Sequence, residues 1–293
     1  MKTKITGHTK MVCLLGSPVA HSISPAMHNE SFAELGLDYA YLAFDVAEEA
    51  FDRAVDGLLS LGAAGWNCTM PLKRLMLRRC DILSDSARLT GAVNTVVNEN
   101  GVLHGYNTDG YGFMQSMADA GFEPKGKKLT LLGSGGAAAA ILAQAALDGV
   151  SAVDIFARPG SASTRLMAEE LERIRRTAGC SCALSLYDLA DTEGLKKSLQ
   201  ESYALINASS VGMAPHTDVS LITDPSLLHP ALAVGDVIYN PKETLLLSQA
   251  RQRGCPAFNG LYMLLHQGAL AFRLWTGQDM PLEHIRRKFF NAV

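Results

Sequence analysis

Apolar and polar positions form short, regular blocks over the first hundred or so residues of the chain. The apolar segment MVCLLG (11–16) is typical of a buried strand, and YAYLAFDV (39–46) alternates like a half-buried one. Helical spacing follows each of them, in residues 24–36 and 50–62. Residues 91–110 then predict two short strands around the turn NENG. These blocks indicate an α/β domain.

The helix predicted over residues 24–36 has suitable residues at both ends. Ser24 is predicted to cap its N-terminus, and Pro25 suits its first turn, where a missing N–H breaks no hydrogen bond. Gly36 suits its end, because glycine readily adopts the left-handed conformation that ends many helices. The polar string HSIS, just before this helix, is therefore expected at a strand-to-helix turn.

A second alternation of strands and helices begins near residue 111 with a linking helix, YGFMQSMADAG. Residues 127–150 then predict a strand, a glycine turn and a long helix of small residues. Further strands are predicted over 152–158, 203–213 and 233–241, with a charge-rich helix reaching about residue 177. Strands that alternate with helices predict a doubly wound parallel sheet.

The two alternations predict two α/β domains. With 293 residues, of which 48% are apolar, the chain can bury a substantial core. Residues 1–111 would form the first domain and residues 112–259 the second. The tail is strongly apolar and helical over 259–277, and the helices of 260–293 are expected to pack back on the first domain.

Charge and cysteine usage narrow the class of protein. The net charge is −3 and only 19% of residues are charged, so neither nucleic acid nor an anionic membrane is an expected partner. No uncharged apolar run approaches the ~18 residues of a membrane span, and the N-terminal apolar run is too short for a secretory signal. The six scattered cysteines are expected to be reduced thiols in a cytoplasmic protein, and no metal site is expected.

The segment LTLLGSGGAAAAI has the spacing of a dinucleotide-binding turn. Gly133, Gly135 and Ala138 form G-x-G-x-x-[GA] between a predicted strand and a predicted helix. The first glycine allows the tight turn, the second lets a pyrophosphate approach the backbone, and the small third residue lets the helix pack on the strand. A plain strand-to-helix turn is the alternative, but the second strand at βαβ distance favours a nucleotide site.

The end of that second strand bears on the choice of cofactor. NAD-binding domains usually have an acidic residue there for the ribose 2′-hydroxyl, whereas this chain has Ala157 and Arg158. Asp154 comes too early, near the start of the strand. An arginine favours a 2′-phosphate, so NADP is predicted, with NAD possible. The alternative is that Arg158 is an ordinary solvated arginine.

Four polar turns in the first domain suggest a pocket for a polyhydroxylated ligand: GSPVAHSISPAMHN, GWNCTMPLK, GAVNT and GYNTDG. Together with the glycine loop and GLYMLLHQGA, these strings resemble the signatures of the shikimate dehydrogenase family, in order, from Gly16 to about Pro281. The resemblance implies an N-terminal substrate domain, a Rossmann-type nucleotide domain, and a small-molecule substrate. The implied reaction is the reversible, NADP-linked reduction of 3-dehydroshikimate to shikimate, in aromatic amino acid biosynthesis.

Two alternatives remain beside that reading. The segments YNPKETLLLSQARQRGC and LWTGQDMP resemble the quinate/shikimate branch of the family, whose members use NAD or NADP. A non-catalytic module that senses shikimate or quinate is the alternative from another class. The resemblance leaves open whether the protein is a monomer or a homodimer.

The resemblance also assigns roles to individual residues. Lys73 and Asp109 match the catalytic pair, in which a lysine ammonium gives a proton to the developing alkoxide and takes it back in reverse. The other residues implied at the substrate are Ser22, Ser24 and Tyr239 at its carboxylate, and Asn67, Thr69, Asn94 and Gln267 at its ring hydroxyls. The residues implied at the cofactor are Gly133, Ser134, Gly135, Gly136, Ala137, Ala157, Arg158, Val237 and Gly260.

Each of these residues also has an ordinary interpretation. Most lysines are surface charges, an aspartate in NTDG commonly forms a turn or a cap, and Ser22 and Ser24 suit helix capping. Gln267 suits a satisfied core amide, and His21, His28 and His266 suit structural roles. The chain also departs from the family at Cys68, Leu72 and the string ARPG. The set of linked motifs favours the catalytic interpretation.

Overall fold

The computed structural model describes residues 5–177 and 180–290, and these divide into two compact units. The first unit contains the residues up to Thr108 together with those from Gln267 onwards, and the second unit contains Asp109–His266. Among the described residues, no helix is both long enough and apolar enough to cross a membrane.

A six-stranded mixed sheet forms the centre of the first unit. Its strands are β1 (Lys10–Gly16), β2 (Tyr39–Asp45), β3 (Gly65–Cys68), β4 (Ile82–Leu83), β5 (Thr95–Glu99) and β6 (Val102–Tyr106), in the order β2-β1-β3-β5-β6-β4. Strand β1 runs parallel to β2 and β3, whereas β5 is antiparallel to β3 and β6. The hairpin predicted around NENG is therefore confirmed as β5 and β6.

Four helices accompany the first part of this sheet: α1 (Ser24–Leu35), α2 (Phe51–Ser60), α3 (Lys73–Leu77) and α4 (Asp85–Thr90), with a 3₁₀ turn at Glu48–Ala50. Trp66, Leu72 and Met76 are fully buried in the core between sheet and helices. Gly36 ends α1 in the left-handed conformation (φ 66°), as predicted. The predicted Ser24 cap is wrong: the cap position belongs to Ile23, whose backbone is already helical, so Ser24 lies inside the first turn.

The second unit is a doubly wound parallel sheet. Its strands are β7 (Lys128–Leu132), β8 (Ala152–Ala157), β9 (Ala183–Asp188), β10 (Ala204–Asn207), β11 (Ala233–Asp236) and β12 (Ala257–Phe258), in the order β12-β11-β10-β7-β8-β9. All of its neighbouring strands are parallel. This is the strand order of a Rossmann fold, and the order reverses between β7 and β10, where such sheets bind ligands.

The helices of the second unit are α5 (Asp109–Asp119), α6 (Gly136–Leu147), α7 (Ala162–Arg175), α8 (Thr192–Glu201) and α9 (Leu245–Gln252), with a 3₁₀ turn at Pro225–Leu227. Helix α10 (Leu261–Thr276) follows, and its residues from Gln267 belong to the first unit. The chain continues through α11 (Leu282–Ile285) and a π-helical turn at Arg286–Phe290. The α/β class and the nucleotide-type sheet predicted from the sequence are confirmed.

Candidate active site

The glycine turn between β7 and α6 has the geometry that its sequence predicts. Gly133 adopts φ 109°, and a Cβ there would lie 3.1 Å from the carbonyl oxygen of Ala208, so a larger residue would be strained. Gly135 precedes α6 at the cap position, and no side chain caps the helix. A Cβ on Gly135 or Gly136 would meet no atom within 4 Å. Residues 133–137 also line a cavity, so a ligand can approach the backbone at the start of α6, as a pyrophosphate site requires.

A cavity of about 980 Å³ lies over the carboxyl ends of β7, β8, β10 and β11. Of the residues predicted to bind the cofactor, all except Gly260 line it, and Tyr239 lines it as well. Arg158 is the one charged side chain among the described residues that line this cavity. The cavity is therefore suited to an anionic ligand, and its size suits a nucleotide cofactor.

Gly260 lies directly against Val237. Its N–H donates to the carbonyl oxygen of Ile238 (3.2 Å), and a Cβ on Gly260 would fall 2.0 Å from the carbonyl oxygen of Val237. The turn that leads into α10 thus reaches the β11 loop only because residue 260 has no side chain. The structure brings these two predicted residues together, with Val237 on the cavity wall and Gly260 behind it.

Asp154 is engaged away from the cavity. Its carboxylate accepts hydrogen bonds from Lys128 Nζ (2.7 Å) and Ser198 Oγ (2.8 Å). At the cavity itself, Ser161 caps α7 and the Ser134 hydroxyl lies 3.0 Å from the hydroxyls of both Ser163 and Thr164. The end of β8 therefore presents Arg158 and hydroxyl groups, a set that fits a phosphate better than it fits a ribose hydroxyl needing an acidic partner.

Asn207 and Asp236, which were not predicted from the sequence, form a buried hydrogen-bonded pair that joins two loops of the cavity. Asp236, at the end of β11, accepts hydrogen bonds from Ile238 N (3.0 Å), Thr244 Oγ1 (2.7 Å) and Asn207 Nδ2 (3.1 Å). Burial raises the pKa of Asp236 to about 6, and these hydrogen bonds act in the opposite direction. The sequence signal for this pair is a polar residue at the end of each of two buried strands, Asn207 in β10 and Asp236 in β11.

In the first unit, several residues predicted at the substrate lie together at the ends of β1 and β3. Thr69 N donates to the carbonyl oxygen of Leu15 (2.8 Å), and Asn67 Nδ2 donates to the carbonyl oxygen of Asn94 (3.1 Å). The carbonyl oxygen of Lys73 accepts from Val93 N (2.9 Å), the residue before Asn94. Asn67, Thr69, Lys73 and Asn94 thus form one cluster, with both asparagines buried and Lys73 half-buried.

The other predicted substrate residues lie in or beside helices α1, α5 and α10 or in the cavity loop after β11. Asp109 begins α5 and is half-buried, directly after the buried Thr108. Gln267, in α10, is half-buried, and Ser22 accepts a hydrogen bond from Ser24 N (3.2 Å). The pairing of Lys73 with Asp109 and the contacts of Gln267 and Tyr239 with substrate stay predictions.

The three histidines near the predicted site residues, His21, His28 and His266, lie in structural positions or at the surface. His28 is fully buried, neither ring nitrogen has a hydrogen-bond partner among the described residues, and burial lowers its pKa to about 3. His266 is also buried and bonds to Asp119 Oδ2 (2.8 Å). His21 is exposed. A group that stays unprotonated down to about pH 3 is not suited to proton exchange near neutrality, which argues against His28.

The cysteines are all unpaired, and burial raises the pKa of Cys13 to about 12. Within residues 5–177 and 180–290, no group of three or more His, Cys, Asp or Glu side chains is arranged to bind a metal ion.

Comparison with known proteins gives consistent matches. Residues 14–96 match the model of the shikimate dehydrogenase substrate binding domain, and residues 260–288 match that of the shikimate 5′-dehydrogenase C-terminal domain. The shikimate dehydrogenase (NADP⁺) of Alkaliphilus metalliredigens is 46% identical over 98% of both chains. Shikimate 5-dehydrogenase from Listeria monocytogenes, solved with shikimate and NAD, is 44% identical with a TM-score of 0.93 over 99% of both chains. Quinate dehydrogenase from Corynebacterium glutamicum, solved with NAD, is 29% identical with a TM-score of 0.84 over 97% of this chain and 99% of that one.

Proposed function

Because this chain belongs to the shikimate dehydrogenase family, we propose that it catalyses the reversible, NADP-linked reduction of 3-dehydroshikimate to shikimate, a step in aromatic amino acid biosynthesis. It is an NAD(P)-dependent oxidoreductase that acts on a CH–OH group. One observation carries the proposal: this chain aligns with a shikimate dehydrogenase over 98% of both lengths. It also has a cavity suited to an anionic ligand and the cluster around Lys73.

The cofactor would occupy the cavity of the second unit. Its pyrophosphate would lie on the N–H groups around Gly135 and the start of α6, which supply hydrogen bonds and the positive end of the helix dipole. Arg158 would pair with the 2′-phosphate, and the hydroxyls at the start of α7 lie beside that position. NAD, which lacks this phosphate, would use the same pyrophosphate contacts. When bound, the nicotinamide supplies or accepts the hydride.

The substrate would be held by neutral polar groups. As the family resemblance implies, Ser22, Ser24 and Tyr239 would offer hydroxyl donors to its carboxylate, while Asn67, Thr69, Asn94 and Gln267 would offer partners to its ring hydroxyls. Asn67 and Asn94 are buried and hydrogen-bonded to neighbours, which supports a rigid binding surface because their amide orientations are fixed.

Lys73 would carry the proton. Its ammonium group would protonate the alkoxide that develops when the ketone is reduced, and would accept the proton in the oxidation direction. Proton transfer by a positioned side chain typically contributes about 10²–10⁴-fold in rate. Asp109 would orient Lys73 through a charge-assisted hydrogen bond and bind a substrate hydroxyl. The protein would act in the cytoplasm as a monomer or homodimer.

A second candidate is a quinate/shikimate dehydrogenase that uses NAD or NADP. The observation that favours it is the 29% identity to quinate dehydrogenase over nearly the whole of both chains. Quinate has the same carboxylate and hydroxyl chemistry as shikimate, so the cluster around Lys73 suits both acids. The candidate from another class is a module that senses either acid without turnover.

Two measurements on one preparation separate an enzyme from a sensing module. Calorimetric titration with shikimate reports binding, and the absorbance of NADPH after addition of NADP⁺ reports turnover. The proposed function predicts binding together with NADPH formation in proportion to enzyme concentration. Shikimate binding without turnover, with either NADP⁺ or NAD⁺, would reject the catalytic proposal and favour the sensing module.

A further inference from the structure

Tyr41 contacts one residue proposed to bind substrate, Asn67, and the helix that carries another, Ser24. Its side chain projects from β2 and is almost completely buried, with 1% of its surface exposed. The Tyr41 hydroxyl donates a 2.7 Å hydrogen bond to Asn67 Oδ1 in β3, on the far side of β1. Neither the family motifs nor the polar turns of the sequence single out this tyrosine.

The hydrogen bond from Tyr41 fixes the orientation of the Asn67 amide. Asn67 Nδ2 uses both of its hydrogens within the unit, donating to the carbonyl oxygen of Asn94 (3.1 Å) and to Thr95 Oγ1 (2.9 Å). Asn67 Oδ1 has two lone pairs, and Tyr41 occupies one of them. Asn67 is therefore held with a single remaining acceptor site, so it would bind a ligand hydroxyl by accepting its hydrogen.

Ser24 lies on α1, the helix that packs on strand β2. Burial raises the pKa of the Tyr41 hydroxyl well above its ordinary value, so the hydroxyl keeps the proton that it donates to Asn67. Ser24 is itself buried, in the first turn of α1. Helix α1 thus carries Ser24, proposed for the substrate carboxylate, and packs on the strand whose tyrosine holds Asn67, proposed for a ring hydroxyl.

Neighbouring residues hold both the ring and the backbone of Tyr41 in place. The His28 ring stacks on the Tyr41 ring at 4.6 Å between centroids and 8° between planes, and the Trp275 ring lies 5.9 Å away. The Asn29 side chain bonds to both backbone groups of Tyr41, each at 2.8 Å. Since Ser24, His28 and Asn29 all lie on α1, this helix is fastened to β2 at the residue that contacts Asn67.

We propose that Tyr41 is a positioning residue: its hydroxyl fixes the orientation of the Asn67 amide, and its contacts with His28 and Asn29 hold the helix that carries Ser24 against the same strand. This rests on the proposed function. Tyr41 itself would not touch the substrate, because only 1% of its surface is exposed.

Tyr41→Phe, with Tyr39→Phe as its matched control, tests this role. Tyr39 lies in the same strand, is also buried, and donates its hydroxyl to the carbonyl oxygen of Trp275 (3.1 Å), away from Asn67. Each substitution removes one buried hydroxyl and its hydrogen bond. Tyr41→Phe should raise the KM and the cofactor-free Kd for shikimate about tenfold, the effect of one lost hydrogen bond. The KM for NADP⁺ should stay unchanged.

The control should lose a similar amount of thermal stability and keep the wild-type KM for shikimate. A double-mutant cycle then asks whether Tyr41 acts through Asn67: in an Asn67→Ala background, Tyr41→Phe should change the Kd for shikimate by less than about twofold. An additive effect in that background, or an unchanged Kd for shikimate in Tyr41→Phe alone, would overturn the positioning role.

Three further outcomes are distinguishable. If Tyr41→Phe does not fold, Thr95→Val removes another anchor of the same amide without adding volume, and it should raise the Kd for shikimate similarly; a wild-type Kd would overturn the proposal. If the wild type binds shikimate without turnover, the proposed reaction is wrong, and the Kd comparison still tests Tyr41. A wild type that binds neither shikimate nor quinate would overturn both.

Discussion

Trp275 donates a 2.8 Å hydrogen bond from Nε1 to the carbonyl oxygen of Val96, across 179 positions of sequence. This contact fastens α10, which carries Gln267, to the central strands of the first unit. Space for the indole exists because residue 65 is glycine: a Cβ there would lie 2.4 Å from both Trp275 Nε1 and the carbonyl oxygen of Val96. Gly65 therefore decides how the C-terminal helix joins the first unit.

Gly65→Ala should destabilise the protein by about 1–3 kcal/mol, the usual cost of adding atoms to a packed interior. The added methyl group must displace either the indole ring or the backbone of β5. Gly57→Ala is the matched control, because a Cβ on Gly57 would meet no atom within 4 Å and residue 57 lies inside α2. That control should stabilise the protein by about 0.5–1 kcal/mol. Equal unfolding free energies of the two variants in urea would contradict this account.

Lys73→Ala should lower kcat for shikimate oxidation by about 10²–10⁴-fold, while the Kd for shikimate changes far less. The reason is that the proposed proton acceptor is lost while the hydroxyl and amide partners remain. Arg74→Ala, which removes the exposed cation of the next residue, should leave kcat unchanged. Near-normal turnover in Lys73→Ala under steady-state assay would remove Lys73 from the mechanism.

Arg158→Ala should raise the KM for NADP⁺ by about 10–100-fold, the range expected for a charge-assisted hydrogen bond, and change the KM for NAD⁺ by no more than about threefold. Arg165→Ala provides the control, because Arg165 is an exposed cation on α7 that does not line the cavity. It should affect neither cofactor. Equal changes for NADP⁺ and NAD⁺ in Arg158→Ala would mean that Arg158 does not contact the 2′-phosphate.

His28 should make the protein sensitive to mild acid. Its pKa is lowered from 6.5 to about 3 by burial, so between these values the unfolded chain binds a proton that the folded chain does not. This contribution to stability is complete above pH 6.5 and is lost as pH falls, by about 1.4 kcal/mol per unit.

His28→Leu should therefore flatten the dependence of unfolding free energy on pH between about pH 4 and 6.5. Any packing cost of the new side chain does not vary with pH and drops out of the slope. His21→Leu, which removes an exposed imidazole, should keep the wild-type slope. A wild-type slope in His28→Leu, measured by urea unfolding at several pH values, would contradict the assignment.

Features that depend on local sequence were the ones that could be predicted. The glycine turn and the strand that ends at Ala157 lie within thirty or so residues, and their spacing specifies the turn, the helix and the second strand together. Strand β3 and helix α3 were not predicted as such, because four or five residues are too few to show a period. The N-cap of α1 was predicted one position too late, at Ser24 instead of Ile23, since a helix boundary depends on one residue's backbone angles.

Relationships across the sheet could not be predicted. The contact of Tyr41 with Asn67 depends on the order β2-β1-β3, which chain order does not specify. The same holds for Asn207 and Asp236, which meet because β10 and β11 are neighbours. The alternation of residues 39–46 predicted that Tyr41 lies in a strand, but burial pattern alone does not show what a buried hydroxyl contacts.

A two-by-two kinetic comparison shows whether this chain oxidises shikimate with NADP⁺. Values of kcat/KM are measured for shikimate and for quinate, each with NADP⁺ and with NAD⁺, on one preparation of the full chain. The account predicts the highest kcat/KM for shikimate with NADP⁺. A higher value for quinate with NAD⁺ would contradict it and assign the protein to quinate oxidation instead.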